Sequence, residues 1–254
     1  MKSKKMPVSE PSAEPFRQLF WQDWRDIVFI HWQIDPAAIA ATLPDDLEPD
    51  LFEGNAYVGL VPFRMTGIRP VCFPAVPYLS HTLETNLRTY VKHKDQARNT
   101  ASRAVWFYSL EAENTFAVTV ARFGYGLKYH RANMWLKEDV NLDSSSLFAA
   151  GSLRRWPAPA PVNSFVQARF ETGPFQPAAE GTLEHFLVER YALFAERRGK
   201  LLKSLVRHTP YQIKRGQLLA CNPELIAAAG LPIPPDLIQN AIVHRALDVH
   251  VRIG

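Results

Sequence analysis

The stretch from Leu83 to Val91 reads Leu-Glu-Thr-Asn-Leu-Arg-Thr-Tyr-Val, and its alternation sorts reactive groups onto one side. Side chains alternate faces along a strand, so Glu84, Asn86, Arg88 and Tyr90 share one side. A carboxylate, an amide, a guanidinium and a phenol in one row can line a cavity and grip a small polar ligand. The guanidinium suits two-pronged capture of a ligand carboxylate, and an acid in a cleft suits proton transfer. The same row also fits a solvated sheet face tied by cross-strand pairs. Leu83, Thr85, Leu87, Thr89 and Val91 take the other side, which suits packing against a core.

A second arginine stands out further on. Val105 to Tyr108 is a continuous apolar run, expected as a strand buried on both faces. Glu113-Asn114 reads as a turn, and Thr115 to Phe123 as the returning strand of a hairpin. Phe116, Val118 and Val120 would then share a face with Arg122. An arginine in line with three bulky apolar groups either escapes at the strand end or points into an enclosed site and meets a carboxylate.

Other chemistries leave no trace. None of the eight His falls in a helical His-x-x-x-His pair, and the two Cys form no Cys-x-x-Cys knuckle, so no metal is expected. No glycine-rich phosphate loop and no nucleophile elbow occur, which argues against nucleotide chemistry and serine hydrolysis. No cofactor is expected.

The elements that must position these groups are short. Asp26 to Ile34 reads as a strand with His31 and Trp32 near its end. Asp35-Pro36 supplies an N-cap and a first-turn proline for a helix from Ala37 to Leu43. Asn55 to Phe63 is a second strand, expected to end, bulge or lie at an edge at Pro62. Leu142 to Gly181 reads as connecting sheet and loop, with a strand-like piece from Ser164 to Phe170. Thr182 to Arg198 carries Leu183, Phe186, Leu187 and Phe194 on one stripe and is the best helix, with Glu189-Arg190-Tyr191 in its middle. The basic cluster Glu196 to Lys203 reads as a solvated helix face. A short helix follows Asn222-Pro223, and Leu247, Val249 and Val251 alternate in a closing strand.

With 254 residues, 47% of them hydrophobic, the chain can bury one substantial core. Residues 1–15 are polar and proline-containing and are expected to be disordered, leaving 16–254 as a single domain. The net charge of +4 is spread along the chain without a basic stripe or a binding motif, so no nucleic-acid partner is expected. No apolar run reaches membrane-spanning length, no signal core is present, and two distant Cys suit a reducing compartment. A cytoplasmic protein with no membrane partner is the expectation.

His31-Trp32, Leu43-Pro44, Val61-Pro62-Phe63, the segment Glu84 to Val91, Trp106 to Leu110, Ala121-Arg122, Glu189-Arg190-Tyr191 and His208-Thr209-Pro210 recur in an ordered series. In that order they resemble the uncharacterised YqjF-like family of the acetoacetate decarboxylase-like superfamily, over about residues 20 to 252. The resemblance implies an α+β fold in which a curved antiparallel sheet closes into a barrel around a central cavity, with a few flanking helices. It also suggests a homo-oligomer. The superfamily's decarboxylases carry Gly-Arg-Glu-x-x-Gly-Phe-Pro-Lys-Lys, whose first lysine forms a Schiff base. The matching stretch here runs from Ala121 to His130 and keeps Arg122, Gly126 and the apolar Leu127. Tyr129 and His130 occupy the paired-lysine positions, while Lys128 stands one residue early, which turns its side chain to the other face.

Three readings follow. In the first, the interior binds a small carbonyl or carboxylate compound. Glu84, Tyr129 and His130 are then the candidates for proton transfer, without a Schiff-base lysine. Arg88 and Arg122, with Asn86 and Tyr90, hold the ligand. In the second, the same cavity serves a non-catalytic binding or sensing module. In the third, the barrel is solidly filled and the protein is structural.

Overall fold

The computed structural model describes residues 15–75, 80–95, 103–115, 118–119, 122, 126–140 and 145–254. The expected N-terminal tail lies, except for Pro15, outside them. The described chain is mostly sheet with a few short helices. Its strands are β1 (Phe20–Arg25), β2 (Val28–Ile34), β3 (Leu47–Pro49), β4 (Ala56–Pro70), β5 (Thr82–His93), β6 (Ala104–Ala112), β7 (Tyr129–Val140) and β8 (Ser146–Trp156). They continue with β9 (Val162–Phe170), β10 (Gln176–Pro177), β11 (Ala192–Arg197), β12 (Lys200–Arg207), β13 (Gln212–Cys221), β14 (Ile242–Ala246) and β15 (Val249–Ile253). The helices are α1 (Pro36–Ala40), α2 (Leu183–Val188) and α3 (Glu224–Ala228).

Strand pairing closes on itself twice. One circuit runs β6, β7, β8, β9, β13, β14, β2, β4, β5 and back to β6. The other runs β1, β15, β12, β11, β6, β5, β4 and back to β1. The neighbours are antiparallel except for β6–β7 and β6–β11, which run parallel. Because β4, β5 and β6 belong to both circuits, their two faces turn toward different interiors. Two hydrophobic cores result. Trp32, Leu60, Leu87, Val91 and Phe148 belong to the first, while Phe29, Val61, Phe63, Tyr90 and Phe186 belong to the second. β5 is buried along nearly its whole length on both sides.

Several local readings hold. Asp35 Oδ1 accepts from Ala37 N at 2.9 Å to cap α1, with Pro36 in the first turn. Asn222 Oδ1 accepts from Glu224 N at 2.8 Å to start α3, and Gly230 follows it with φ +76°. Others do not hold. β4 runs straight through Pro62, which lies opposite Thr85 in an unbroken register. The segment read as connecting sheet and loop carries two long strands, β8 and β9, of which β9 includes the strand-like piece expected from Ser164 to Phe170.

The expected helix from Thr182 to Arg198 stops after six residues. Glu189 turns extended, and Ala192–Arg197 becomes β11, parallel to β6 and antiparallel to β12. Arg198 and Gly199, both with positive φ, make the two-residue turn between β11 and β12. The basic cluster is therefore a hairpin, because pairing with β6 outweighs the helical spacing of the apolar residues. The hairpin strand expected from Thr115 does not occur among the described residues of that segment. Thr115, Val118, Thr119 and Arg122 are helical, with Val118 N donating to Asn114 O at 2.9 Å. Phe116, Ala117, Val120, Ala121 and Phe123 lie outside the described residues.

Gly59 sets the geometry of the shared wall. It stands between His31 on β2 and Arg88 on β5 in one cross-strand row. A methyl group on Gly59 would sit 2.8 Å from His31 Cδ2 and 3.5 Å from Tyr90 Oη. Gly59→Ala is expected to lower stability by about 1–3 kcal/mol through this overlap. In urea unfolding, most of that loss should vanish when Gly59→Ala is made in a His31→Ala background; strict additivity would mean the glycine serves something else.

Candidate functional site

The row on β5 points inward. Glu84 is 3% exposed, Arg88 7%, and Asn86 and Tyr90 are equally enclosed. Opposite them on β4 stand Phe63, Val61 and Gly59, so the row faces the second core. It resolves into two groups.

The first group centres on Glu84. Tyr129, the opening residue of β7, donates its hydroxyl to Glu84 Oε2 at 2.6 Å, and Asn86 Nδ2 donates to Oε1 at 3.4 Å. Burial raises the Glu84 carboxyl from its ordinary 4.5 to about 7, with the two hydrogen bonds pulling the other way. Burial and the adjoining carboxylate hold the Tyr129 phenol well above its ordinary value. Glu84 is thus an acid whose proton exchanges near neutrality.

The second group centres on Arg88. Its guanidinium lies 5.2 Å from the Phe29 ring centre and 5.8 Å from that of Tyr90. Nη2 reaches the Leu187 carbonyl at 3.4 Å, while the buried Nε has no partner among the described residues. No carboxylate pairs with it there. Tyr90 donates its hydroxyl to Leu187 O at 2.7 Å and stands 2.6 Å from His31 Nε2. A hydroxyl has one proton, so His31 must donate from Nε2, which leaves its buried Nδ1 a bare acceptor. Burial, then the charge of Arg88, keeps His31 neutral. His208 is held at about 4 mainly by burial, and its ring packs on Tyr211 and Tyr191. Arg88 therefore sits among aromatic rings and neutral imidazoles.

The other buried arginines are paired. Arg190 binds Asp50 Oδ2 at 2.7 Å and covers the Phe186 ring at 4.1 Å. The expected mid-helix cluster is in fact the turn after α2, where Glu189 accepts from Tyr191 Oη and Tyr211 N. Arg154 on β8 grips Glu111 on β6 with Nη2 at 2.5 Å and Nε at 3.1 and 3.2 Å.

His130 belongs to that last pair and not to Glu84. It follows Tyr129 on a strand, so it faces the opposite side. It lies in register with Glu111, with Nδ1 3.8 Å from Glu111 Oε1. Burial and the charges of Arg154 and Arg122 depress it to about 3. Arg122 also leaves the expected site. Its residue is helical, and its guanidinium donates to Tyr129 O at 3.0 Å and lies 5.9 Å from the Trp156 ring centre. It braces the chain at Tyr129 instead of facing Arg88. Lys128 is exposed, with Nζ 4.8 Å from the Trp106 ring centre. His31, Gly59, His208 and Tyr211 join the Arg88 group although the sequence reading gave them no role there. For His31 the signal was present, since it alternates with the apolar Ile27 and Phe29. No helix among the described residues is long and apolar enough to cross a membrane.

Over residues 21–249 the chain matches the family DUF2071, described as an uncharacterised conserved protein. The chain belongs to the DUF2071 family. The uncharacterised protein YqjF of Bacillus subtilis is 30% identical over 213 residues, which cover 84% of this chain and 82% of YqjF. Among solved structures, the DUF2071 chain resembles an acetoacetate decarboxylase-like enzyme of Sphingomonas wittichii at TM-score 0.57 and 12% identity, covering 94% and 92% of the two chains. It resembles the enduracididine biosynthesis enzyme MppR, complexed with pyruvate, at TM-score 0.58 and 11% identity, covering 95% and 90%. The acetoacetate decarboxylase of Legionella pneumophila follows at TM-score 0.51 and 14% identity, covering 99% and 96%. These likenesses show an acetoacetate decarboxylase-like fold.

The Glu84 environment fixes a pH dependence. Its carboxyl is raised on folding, so the native state holds a proton that the unfolded chain releases. Stability is then greatest below pH 4.5 for this group and is lost as pH rises to about 7. The loss amounts to about 3 kcal/mol, and Glu84→Gln is expected to remove it. Urea unfolding of both proteins at pH 5 and pH 8 checks this; parallel losses in the two would contradict it.

Proposed function

We propose that the second interior, enclosed by the sheet as in a barrel, binds a small carbonyl or carboxylate compound. Arg88 receives the anionic group there, and the Glu84–Tyr129 pair handles a proton. The carrying observation is the buried guanidinium that no carboxylate of the described residues compensates. Taking an isolated cation out of water costs several kcal/mol, and removing a partner from a buried pair is more costly still. Rings at Phe29 and Tyr90 return about 2 kcal/mol of that. An incoming carboxylate supplies the remainder.

Glu84 and Arg88 lie four residues apart on one strand, on the order of 13 Å between their Cα atoms. Both side chains leave the same face of the strand with Asn86 between them, a spacing that suits a ligand of several carbons. A compound anchored at Arg88 would present its carbonyl end toward Glu84, whose near-neutral acid can give or take a proton while Tyr129 steadies the other state. Asn86 stands between the two on that face, and Tyr90 lies beyond Arg88. His130, on the other face, takes no part, and neither does Arg122. Lys128 is exposed beside Trp106, so the reading uses no Schiff base. A structural neighbour complexed with pyruvate is in keeping with a keto acid as the ligand class. The free Cys72 and Cys221 suit a reducing cytoplasm.

Arg88→Met tests both halves of the reading. Pyruvate and longer 2-keto acids, titrated calorimetrically, are expected to bind the wild type and to lose at least tenfold in affinity to this variant. In the absence of ligand the variant should be as stable as wild type or up to about 3 kcal/mol more stable, because a costly buried charge has gone. Full affinity in Arg88→Met sinks the proposal. Exchange of the ligand's 3-protons in D2O separates catalysis from mere binding: Glu84→Gln should bind but not exchange, whereas a sensing module exchanges in neither protein.

A further inference from the structure

On the same face of β2 and β14 as His31, a depression of about 450 Å³ opens between α2, the 171–179 segment and β13. Its walls include Ile213, Ala178 and Ala179, and the Glu184–Arg215 ion pair stands on it. His244 of β14 lines it while remaining 1% exposed. Neither ring nitrogen of His244 has a hydrogen-bond partner among the described residues. A buried imidazole with both nitrogens unmatched carries a desolvation cost that a structural histidine avoids by bonding to a carbonyl or carboxylate. Here the neighbouring carboxylate, Glu184, is engaged by Arg215.

The charges fix what would fit. The lining carries two carboxylates, Glu171 and Glu184, and two cations, Lys214 and Arg215, so no net charge faces the space. Burial holds His244 at about 4, neutral at physiological pH, offering one N–H donor and one lone pair. Its size falls within the usual ligand-pocket range of roughly 300–1,000 Å³. We propose that this depression is a second binding site, for a small uncharged molecule that presents a hydroxyl or carboxamide to His244 and an apolar body to Ile213 and the alanines. It does not depend on the Arg88 reading. His244 lies opposite Phe29 in the β2–β14 register, so the two sites share a wall while recognising opposite classes, one anionic and one neutral.

The test uses benzamide and benzyl alcohol as neutral probes and benzoate as the charged isostere, with the full chain labelled at histidine. Benzamide or benzyl alcohol is expected to shift the His244 ring resonances saturably, with benzoate at least tenfold weaker there. His244→Phe should weaken the neutral probe at least tenfold by calorimetry. Ala179→Trp, which fills the depression and leaves the imidazole intact, should do the same and covers the case in which His244→Phe does not fold. Arg88→Met should leave this binding unchanged, which separates failure here from failure of the keto-acid reading. Absence of any saturable His244 shift with both neutral probes, preference for benzoate, or undiminished binding in Ala179→Trp would overturn the assignment.

Discussion

β5 is enclosed on both faces, and that enclosure governs the rest of the molecule. A strand at the surface can turn its polar row to water. A strand held in common by two closed pairing circuits cannot, so the polar groups from Glu84 to Tyr90 must find a partner inside or bear the desolvation. Leu87 and Val91 answer to one core and Tyr90 to the other. Glu84 responds by holding a proton and a phenol. Arg88 responds with rings, and no carboxylate among the described residues compensates its charge.

The three buried arginines among the described residues show how unusual that is. Arg154 has a carboxylate gripped by two of its nitrogens, and Arg190 has Asp50. These are the arrangements that hold a fold together. Arg88 has a weak carbonyl contact, two aromatic faces and neighbouring imidazoles that remain neutral. Nature of surroundings, more than burial itself, distinguishes a cation that locks structure from one left open to a ligand.

The reactive row was legible because period-two alternation is the plainest signal a strand gives, and Glu84 to Tyr90 obeys it without interruption. The capping of α1 was legible from an equally local signal, an aspartate placed directly before a first-turn proline. What misled was always a competition between local pattern and distant pairing. Leu183, Phe186, Leu187 and Phe194 fall at helical spacing, yet the last of them belongs to β11, where β6 supplies a hydrogen-bonding edge no local pattern reveals. Gly199 after two arginines was the overlooked sign of the turn. Around Thr115 the alternation favoured a strand, and a helical turn formed instead. Pro62 looked like a strand end but pairs through an unbroken register. The site suffered from a subtler loss. His31 and Arg88 meet only because Gly59 separates them in a third strand, and such a meeting is invisible until the register is known.

Tyr129 and His130 show what the shared wall makes possible. The two are consecutive, yet one delivers its hydroxyl to Glu84 and the other its imidazole beside Glu111 and Arg154. Adjacent residues thus serve opposite faces of the sheet, and the parity of the segment leading into β7 decides which face receives which group. Loss or gain of one residue upstream of Tyr129, with the β6–β7 pairing positions kept, would turn every β7 side chain to the opposite face in a single step. A lineage built on this scaffold therefore alters both faces of β7 together, and its packing along β8 with them.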